Sequence, residues 1–376
     1  MRAREPIAGA RTILVIRHRA GGDLLLTTPA LAAIRSGSPG ARIDVLAARG
    51  LGALLEGNPD VDRVIEFDRR SLLSSAALYA RLARGGYDVV FDMVSNPRSA
   101  WMTGLTRAPV RIGYDIAGRR RAYTIRVPRE PLGPGGRPAL RYAPEAALDQ
   151  VRAAGLPAGD TALRFRVSPE AAGRLAKWLD DPSTPRDRSK PLVACLPAGS
   201  WPAKTWPAER FVEAMERLAG DATIVWLWGP GEEALARSCR ERMSAPSLLA
   251  PKTGWQELGA LLARCALLVC NDSGPKHVAV ALGVPTVTIF GPTHPATWHP
   301  PAGPHTALQA DGLDCLHCNA NRCPLPGDRF LRCMRDVGVE RVSAAARACL
   351  DAAGARAAPG AGGARAALQE ARCASG

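Results

Sequence analysis

An alternation that runs twice along this chain constrains its fold more than any other feature. Short apolar runs are separated by stretches of helical periodicity. Residues 13–16, 43–46, 64–67 and 89–93 read as strands, with helical patterns near 28–35, 50–56, 71–84 and 97–106. An irregular stretch rich in Gly, Pro and Arg covers 111–141, and helical patterns resume at 142–154 and 169–179. The alternation then restarts, with strands at 192–196, 224–227, 267–270 and 286–290 and helices at 208–218, 231–242, 255–263 and 275–282. Apolar strands with helices between them form βαβ units and a parallel sheet. The expectation is an α/β protein of two successive domains.

Residues 181–190 (DPSTPRDRSK) are polar and carry two prolines, which reads as a linker. The expected layout is a domain at 10–180, the linker at 181–190 and a second domain at 191–338 that includes a Cys-rich loop at 315–333. A last helix at 339–353 and a disordered Ala/Gly-rich tail at 354–376 complete it. Two such domains imply a ligand cleft between them, lined by loops at the carboxyl ends of the strands.

Charge narrows the partners. Lys plus Arg is 49 against 35 for Asp plus Glu, a net charge of +14. Such a chain favours anionic partners such as nucleic acid, acidic lipid or a phosphorylated substrate, although Arg-rich composition alone also produces the excess. No segment reaches the roughly 18 consecutive apolar residues of a membrane helix. The N-terminal apolar run is too short for a secretion signal and has no small-residue cleavage site after it. The expected compartment is therefore the reducing cytoplasm, where the ten cysteines are thiols or metal ligands rather than a disulfide framework.

Three loops follow strands and could carry chemistry. The first is Arg17-His18-Arg19-Ala20-Gly21-Gly22-Asp23, leading into LLLTTP. Its glycines permit close backbone approach by a ligand. Asp23 reads either as a general base or as a helix N-cap. The loop is not a G-x-G-x-x-G dinucleotide fingerprint, which disfavours a dinucleotide-dependent enzyme. The second is Pro197-Ala198-Gly199-Ser200-Trp201-Pro202-Ala203-Lys204-Thr205-Trp206-Pro207. Here a Gly-Ser turn and a Lys before a helix could converge on phosphate, or the Lys could simply lie on the surface. The third is Asn271-Asp272-Ser273-Gly274-Pro275-Lys276-His277, directly after a buried strand. It places free amides, a hydroxyl and two cation-capable side chains in the first turn of a helix. Cations there oppose the helix dipole unless an anion lies nearby, which favours a phosphate site over an ordinary cap.

Taken with Phe290-Gly291-Pro292-Thr293, these motifs closely resemble those of glycosyltransferase family 9, the ADP-heptose:lipopolysaccharide heptosyltransferases and their relatives. The resemblance runs in order from about residue 13 to about residue 342. It implies a GT-B fold of two Rossmann-like domains, the N-terminal one binding the acceptor and the C-terminal one the nucleotide-sugar. It implies an inverting transferase that moves a sugar, a heptose from ADP-heptose, onto an anionic glycan or lipopolysaccharide-core acceptor, with no catalytic metal. Asp23 falls on the base, and Arg17, His18, Arg19 and Gly22 lie on the acceptor side. Gly199, Ser200 and Lys204 fall on the donor-phosphate loop, and Asp272, Ser273, Gly274 and His277 surround the diphosphate and sugar. Gly229 and Glu232 match the part that reaches the nucleoside. Two departures stand out. His18, Arg19 and Ala20 occupy a stretch usually marked by Ser or Thr, and Lys276 replaces Met or Leu, where it could add a phosphate contact.

Cys315, Cys318, Cys323 and Cys333 form C-x2-C-x4-C-x9-C. Four thiolates could bind structural zinc; disulfides and free thiols are the alternatives. The basic runs 119–121 and 126–129 could hold anionic groups of a glycolipid or touch the inner membrane face. Two further readings stay open: a GT-B transferase with a different nucleotide-sugar and acceptor, and a basic zinc-ribbon nucleic-acid binder. The second is disfavoured by the mixed and acidic flanks of the cysteines, so no nucleic-acid partner is expected.

Overall fold

The computed structural model describes residues 7–68, 70–132 and 139–357. The chain divides into two compact units between Arg166 and Val167. The first holds β1 (Thr12–Ile16), β2 (Arg42–Ala48), β3 (Arg63–Phe67), β4 (Val89–Asp92), β5 (Val110–Tyr114) and β6 (Ile125–Val127). Its sheet runs β3-β2-β1-β4-β5-β6, all parallel. The second holds β7 (Leu192–Leu196), β8 (Thr223–Trp226), β9 (Ser247–Leu249), β10 (Cys265–Asn271), β11 (Thr286–Ile289) and β12 (His305–Leu308). Its order, β12-β11-β10-β7-β8-β9, is also parallel and repeats the topology of the first sheet.

In each unit the chain starts at a central strand, works outward to one edge, and returns to the other side of that strand. The order therefore reverses between β1 and β4, and again between β7 and β10. Loops leaving the carboxyl ends of these neighbours diverge and open a crevice. The central strands β1, β4, β7 and β10 are apolar apart from Thr12 at the start of β1 and Asp92 and Asn271 at the ends of β4 and β10, the pattern of strands covered on both faces. Leu14, Ile16, Leu46 and Val90 anchor the core of the first unit. Val193, Cys195, Leu267 and Val269, with Trp206, Phe211 and Trp226, form the core of the second.

The domain boundary lies earlier than the sequence suggests. Helix Pro169–Asp180 belongs to the second unit. The Ser168 amide donates to Gln256 Oε1 at 2.8 Å, and Arg174 pairs with Glu257. Residues 181–190 are not a linker between the units but a loop folded onto the end of that helix. Thr184 Oγ1 donates to the Trp178 carbonyl at 2.7 Å and Arg186 Nε to the Leu179 carbonyl at 3.0 Å. Their polarity serves the open carbonyls of the helix C-terminus. The last helix runs Val339–Ala357, past the expected end at 353, and residues 358–376 of the expected tail lie outside the described residues.

Candidate active site

The second unit builds its site where β7 and β10 diverge. Strand β10 ends in Asn271, whose side chain staples the loop that leaves β7. Asn271 Oδ1 accepts from the Trp206 amide at 3.0 Å, and Nδ2 donates to the Pro197 carbonyl at 2.9 Å. Between these points the loop turns tightly at Gly199. A Cβ there would lie 2.8 Å from the Lys204 carbonyl oxygen, so no other residue fits without moving the backbone. Ser200 Oγ donates to the Asp272 carbonyl at 3.4 Å.

The loop delivers Lys204 into the interior, where it is only 7% exposed. Its Nζ donates to Asp272 Oδ2 at 2.7 Å and lies 4.2 Å from the centre of the Trp201 ring. The reading of Lys204 as a surface residue therefore fails. Asp272 also accepts Lys276 Nζ on Oδ1 at 2.5 Å and Thr293 Oγ1 on Oδ2 at 2.9 Å. Burial alone would raise the Asp272 pKa, but the Lys276 and Lys204 ammoniums together hold it well below the usual carboxylate range. Asp272 is thus an ionised hub for two lysines and a threonine, so its carboxylate oxygens are already engaged.

Lys276 is placed differently from its sequence expectation. It is fully buried, donates to the Trp298 carbonyl at 2.9 Å, and lies 4.8 Å from the Phe290 ring centre. Enclosed by Asp272, Trp298 and Phe290, it is not a direct phosphate contact.

Helix Gly274–Ala281 begins beside this hub. Ser273 is its N-cap in extended backbone but gives no side-chain capping bond. The Ser273 hydroxyl and His277 Nδ1 are both buried and both lack a hydrogen-bond partner. Burial, then the Lys276 charge, pushes the His277 imidazole well below its ordinary pKa, so it is neutral near pH 7 and adds no cation. Two orphan polar groups, the open amides of the first helical turn and the Lys204 ammonium make an arrangement suited to a polyoxygen anion. Gly229 and Glu232 make a local turn after β8, the Gly229 amide donating to Glu232 Oε2 at 2.8 Å.

The first unit places Asp23 in the loop after β1. It lies in the first turn of the short helix Gly21–Leu25, but the N-cap is Ala20, at φ +52°. The Asp23 carboxylate pairs with Arg17 at 3.2 Å and keeps 31% of its side-chain surface exposed. The capping role is therefore not the one it plays. Arg17 is itself held by the Met93 carbonyl at 2.5 Å, at the end of the neighbouring strand β4. Gly22 is a buried member of the same turn.

His18 does not stand open beside the base. It is buried, 6.0 Å from the Phe67 ring, with Nε2 3.4 Å from Asn96 Nδ2. Arg19 is exposed. Farther along, Arg119 and Arg121 line a cavity of about 450 Å³ with Pro97, Ala100 and Trp101. Arg119 donates to the Ser95 carbonyl at 3.0 Å, while Arg120 is taken by Asp115.

The four clustered cysteines are free thiols. Burial, then the neighbouring Cys315, Cys318 and Cys323, pushes the Cys333 thiol up to about 11. Among the described residues, no group of three or more His, Cys, Asp or Glu side chains is arranged to hold a metal ion. The loop braces the donor-side loops. The Asn321 carbonyl accepts from the Ala203 amide at 3.1 Å, the Asn319 amide donates to the Pro292 carbonyl at 2.8 Å, and His317 stacks on His294 at 4.0 Å.

Sequence reasoning passed over Asn271, the staple, and Thr293, the third partner of Asp272. A polar residue ending an otherwise apolar strand was the available signal for Asn271.

Comparison with known proteins places these features. The chain resembles the solved glycosyl transferase family 9 protein from Veillonella parvula, with a TM-score of 0.75 and 24% identity over 91% of this chain and 97% of that one. It also resembles Escherichia coli heptosyltransferase WaaC solved with ADP, with a TM-score of 0.67 and 22% identity over 90% and 99%. The fold is therefore GT-B, the α/β architecture of two Rossmann-like domains. Residues 75–327 match the model of glycosyltransferase family 9 (heptosyltransferase), and the chain belongs to that family. Among curated relatives, lipopolysaccharide heptosyltransferase 1 of Pseudomonas aeruginosa is 26% identical over 339 residues, covering 85% of this chain and 90% of the relative. Lipopolysaccharide heptosyltransferase 2 of Salmonella typhimurium is 29% identical over 305 residues, covering 75% and 83%.

Proposed function

We propose that this glycosyltransferase moves a heptose from ADP-heptose onto an anionic glycan or lipopolysaccharide-core acceptor, with inversion at the anomeric carbon. One observation carries the reading: a buried, net cationic cluster lies beside two orphan polar groups at a helix N-terminus, at the switch point of the second sheet. That combination suits the diphosphate of a sugar nucleotide, and the names of the relatives supply the sugar.

In this reading Asp23 takes the proton from the acceptor hydroxyl as that oxygen attacks the anomeric carbon. Arg17, 3.2 Å away, orients the carboxylate. The bond to the diphosphate breaks on the opposite face, and Lys204, Ser273 and the first-turn amides receive the growing negative charge. These groups supply the countercharge without a metal ion. Arg19 and the Arg119–Arg121 cavity supply cations for an acceptor bearing phosphate or carboxylate. Among the described residues no helix is long and apolar enough to cross a membrane. The net charge of +14 suits peripheral contact with an acidic inner membrane face from the cytoplasm.

A thermal-shift panel of nucleoside diphosphates and sugar nucleotides tests the reading. Ligands that bind the folded state raise its melting temperature by mass action. ADP and ADP-heptose should stabilise most. A larger shift with another nucleotide would reassign the donor.

A further inference from the structure

Asp272 carries one negative charge, and two ammoniums lie within hydrogen-bond distance of it, Lys204 at 2.7 Å and Lys276 at 2.5 Å. Among the described residues neither lysine pairs with any other carboxylate. His277 and His299 nearby are both held below their ordinary pKa, by burial first, and stay neutral near pH 7. The cluster is therefore a buried site of net charge +1. A buried charge without compensation is strongly unfavourable, so such a site calls for an anion.

The two lysines divide the work. Lys276 has no exposed surface, and its ammonium is taken up by Asp272 Oδ1, the Trp298 carbonyl and the Phe290 face. Lys204 retains a little exposure, and among the described contacts its ammonium has Asp272 as its only hydrogen-bonded protein partner. With Lys276 removed, Lys204 and Asp272 would make a closed neutral pair. With it present, one positive charge is left over, and Lys204 is the lysine placed to offer it.

We infer that Lys276 is a positioning residue that sets the charge of the anion site: it neutralises Asp272 so that Lys204 faces the bound diphosphate as an uncompensated cation. This rests on the reading of the second unit as the donor site and adds the residue that makes that site cationic. Lys276 also ties the Trp298 carbonyl to the hub, which holds the Trp298 ring 5.9 Å from the Lys204 ammonium.

The test uses the full chain with Lys276→Gln and Lys276→Met. Gln can still donate to a carbonyl and removes only the charge, whereas Met removes both. Calorimetry should compare ADP, adenosine and inorganic pyrophosphate, the last independent of the base, with thermal melts to establish folding. Both variants should bind ADP and pyrophosphate about tenfold or more weakly, because a charge in a low-dielectric site is lost. Adenosine affinity should hold, so the preference for ADP over adenosine falls by the same factor. In transfer assays kcat/KM for the donor should fall by at least the same factor, because the same charge meets the departing diphosphate. A folded Lys276→Gln protein with wild-type preference for ADP would overturn the inference, as would an equal loss for ADP and adenosine, which marks a merely structural role. A wild-type protein that binds neither ADP nor pyrophosphate would overturn the donor-site reading itself.

Discussion

Lys204 Nζ lies 2.7 Å from Asp272 Oδ2 across 68 residues of sequence, joining the loop after β7 to the loop after β10. The contact draws a lysine out of solvent and fixes its charge at the mouth of a helix. Lys204→Ala should therefore weaken binding of a nucleoside diphosphate by about 1.5–3 kcal/mol, the range for a hydrogen bond to a charged group. Calorimetry with ADP and ADP-heptose measures it. Unchanged affinity for both would remove Lys204 from the site.

Asp23→Asn keeps size and removes basicity. Turnover should fall about 100-fold or more while donor affinity is unchanged. Steady-state rates at saturating donor, beside calorimetry, separate the two. Near wild-type turnover would leave Asp23 as no more than the partner of Arg17.

Asn271→Ala strands the Trp206 amide and the Pro197 carbonyl in a buried place. The loss should be about 2–3 kcal/mol of stability, the cost of unsatisfied buried groups. Urea melts give the value, and a loss under 0.5 kcal/mol, roughly that of an ordinary surface substitution, would count against the staple.

Much of this was legible beforehand. The central strands announced themselves because both faces are buried and their sequences are apolar. The short edge strands did not. Ile125–Val127, Ser247–Leu249 and His305–Leu308 have three or four residues and interleave Arg, Ser, His or Thr, so no run stands out. Strand β5 hid in the Arg- and Gly-containing Val110–Tyr114. The helix expected at 50–56 is only a 3-10 turn at Gly52–Leu55, a stretch flanked by Gly50 and Gly57 at positive φ. In the site, single motif residues could be picked out because Gly, Ser and Lys cluster at strand ends. Their partners could not, since a one-dimensional pattern does not show that residues 204, 272 and 293 meet. Lys276 was the exception in hindsight: Asp272 stands one helical turn before it, the spacing of an ion pair. His18 was misplaced because burial by Phe67 and Asn96 is a long-range contact.

Stability should depend on pH through the histidines. Burial first lowers His277 and His299, and lowers His305 to about 4. In the unfolded chain they titrate near 6.5, roughly the unperturbed value. As pH falls below that, the unfolded state takes up protons that the folded state refuses, so stability is lost from about pH 6.5 downward toward 4. The lowered carboxyls of Asp62 and Asp88 add their loss only below about pH 4. Melting temperatures should decline steadily through the upper window, and His305→Gln should flatten part of the slope. A level profile from 6.5 to 4 would contradict the burial of these rings.

The measurement that bears most directly on the central claim is mass spectrometry of an acceptor after incubation with ADP-heptose and the purified protein. An anionic lipopolysaccharide-core acceptor should gain the mass of one heptosyl unit while ADP is released in equal amount. Asp23→Asn should make little product, and a matched neutral acceptor should be used poorly. No mass gain on any acceptor, with ADP-heptose left intact, would contradict it.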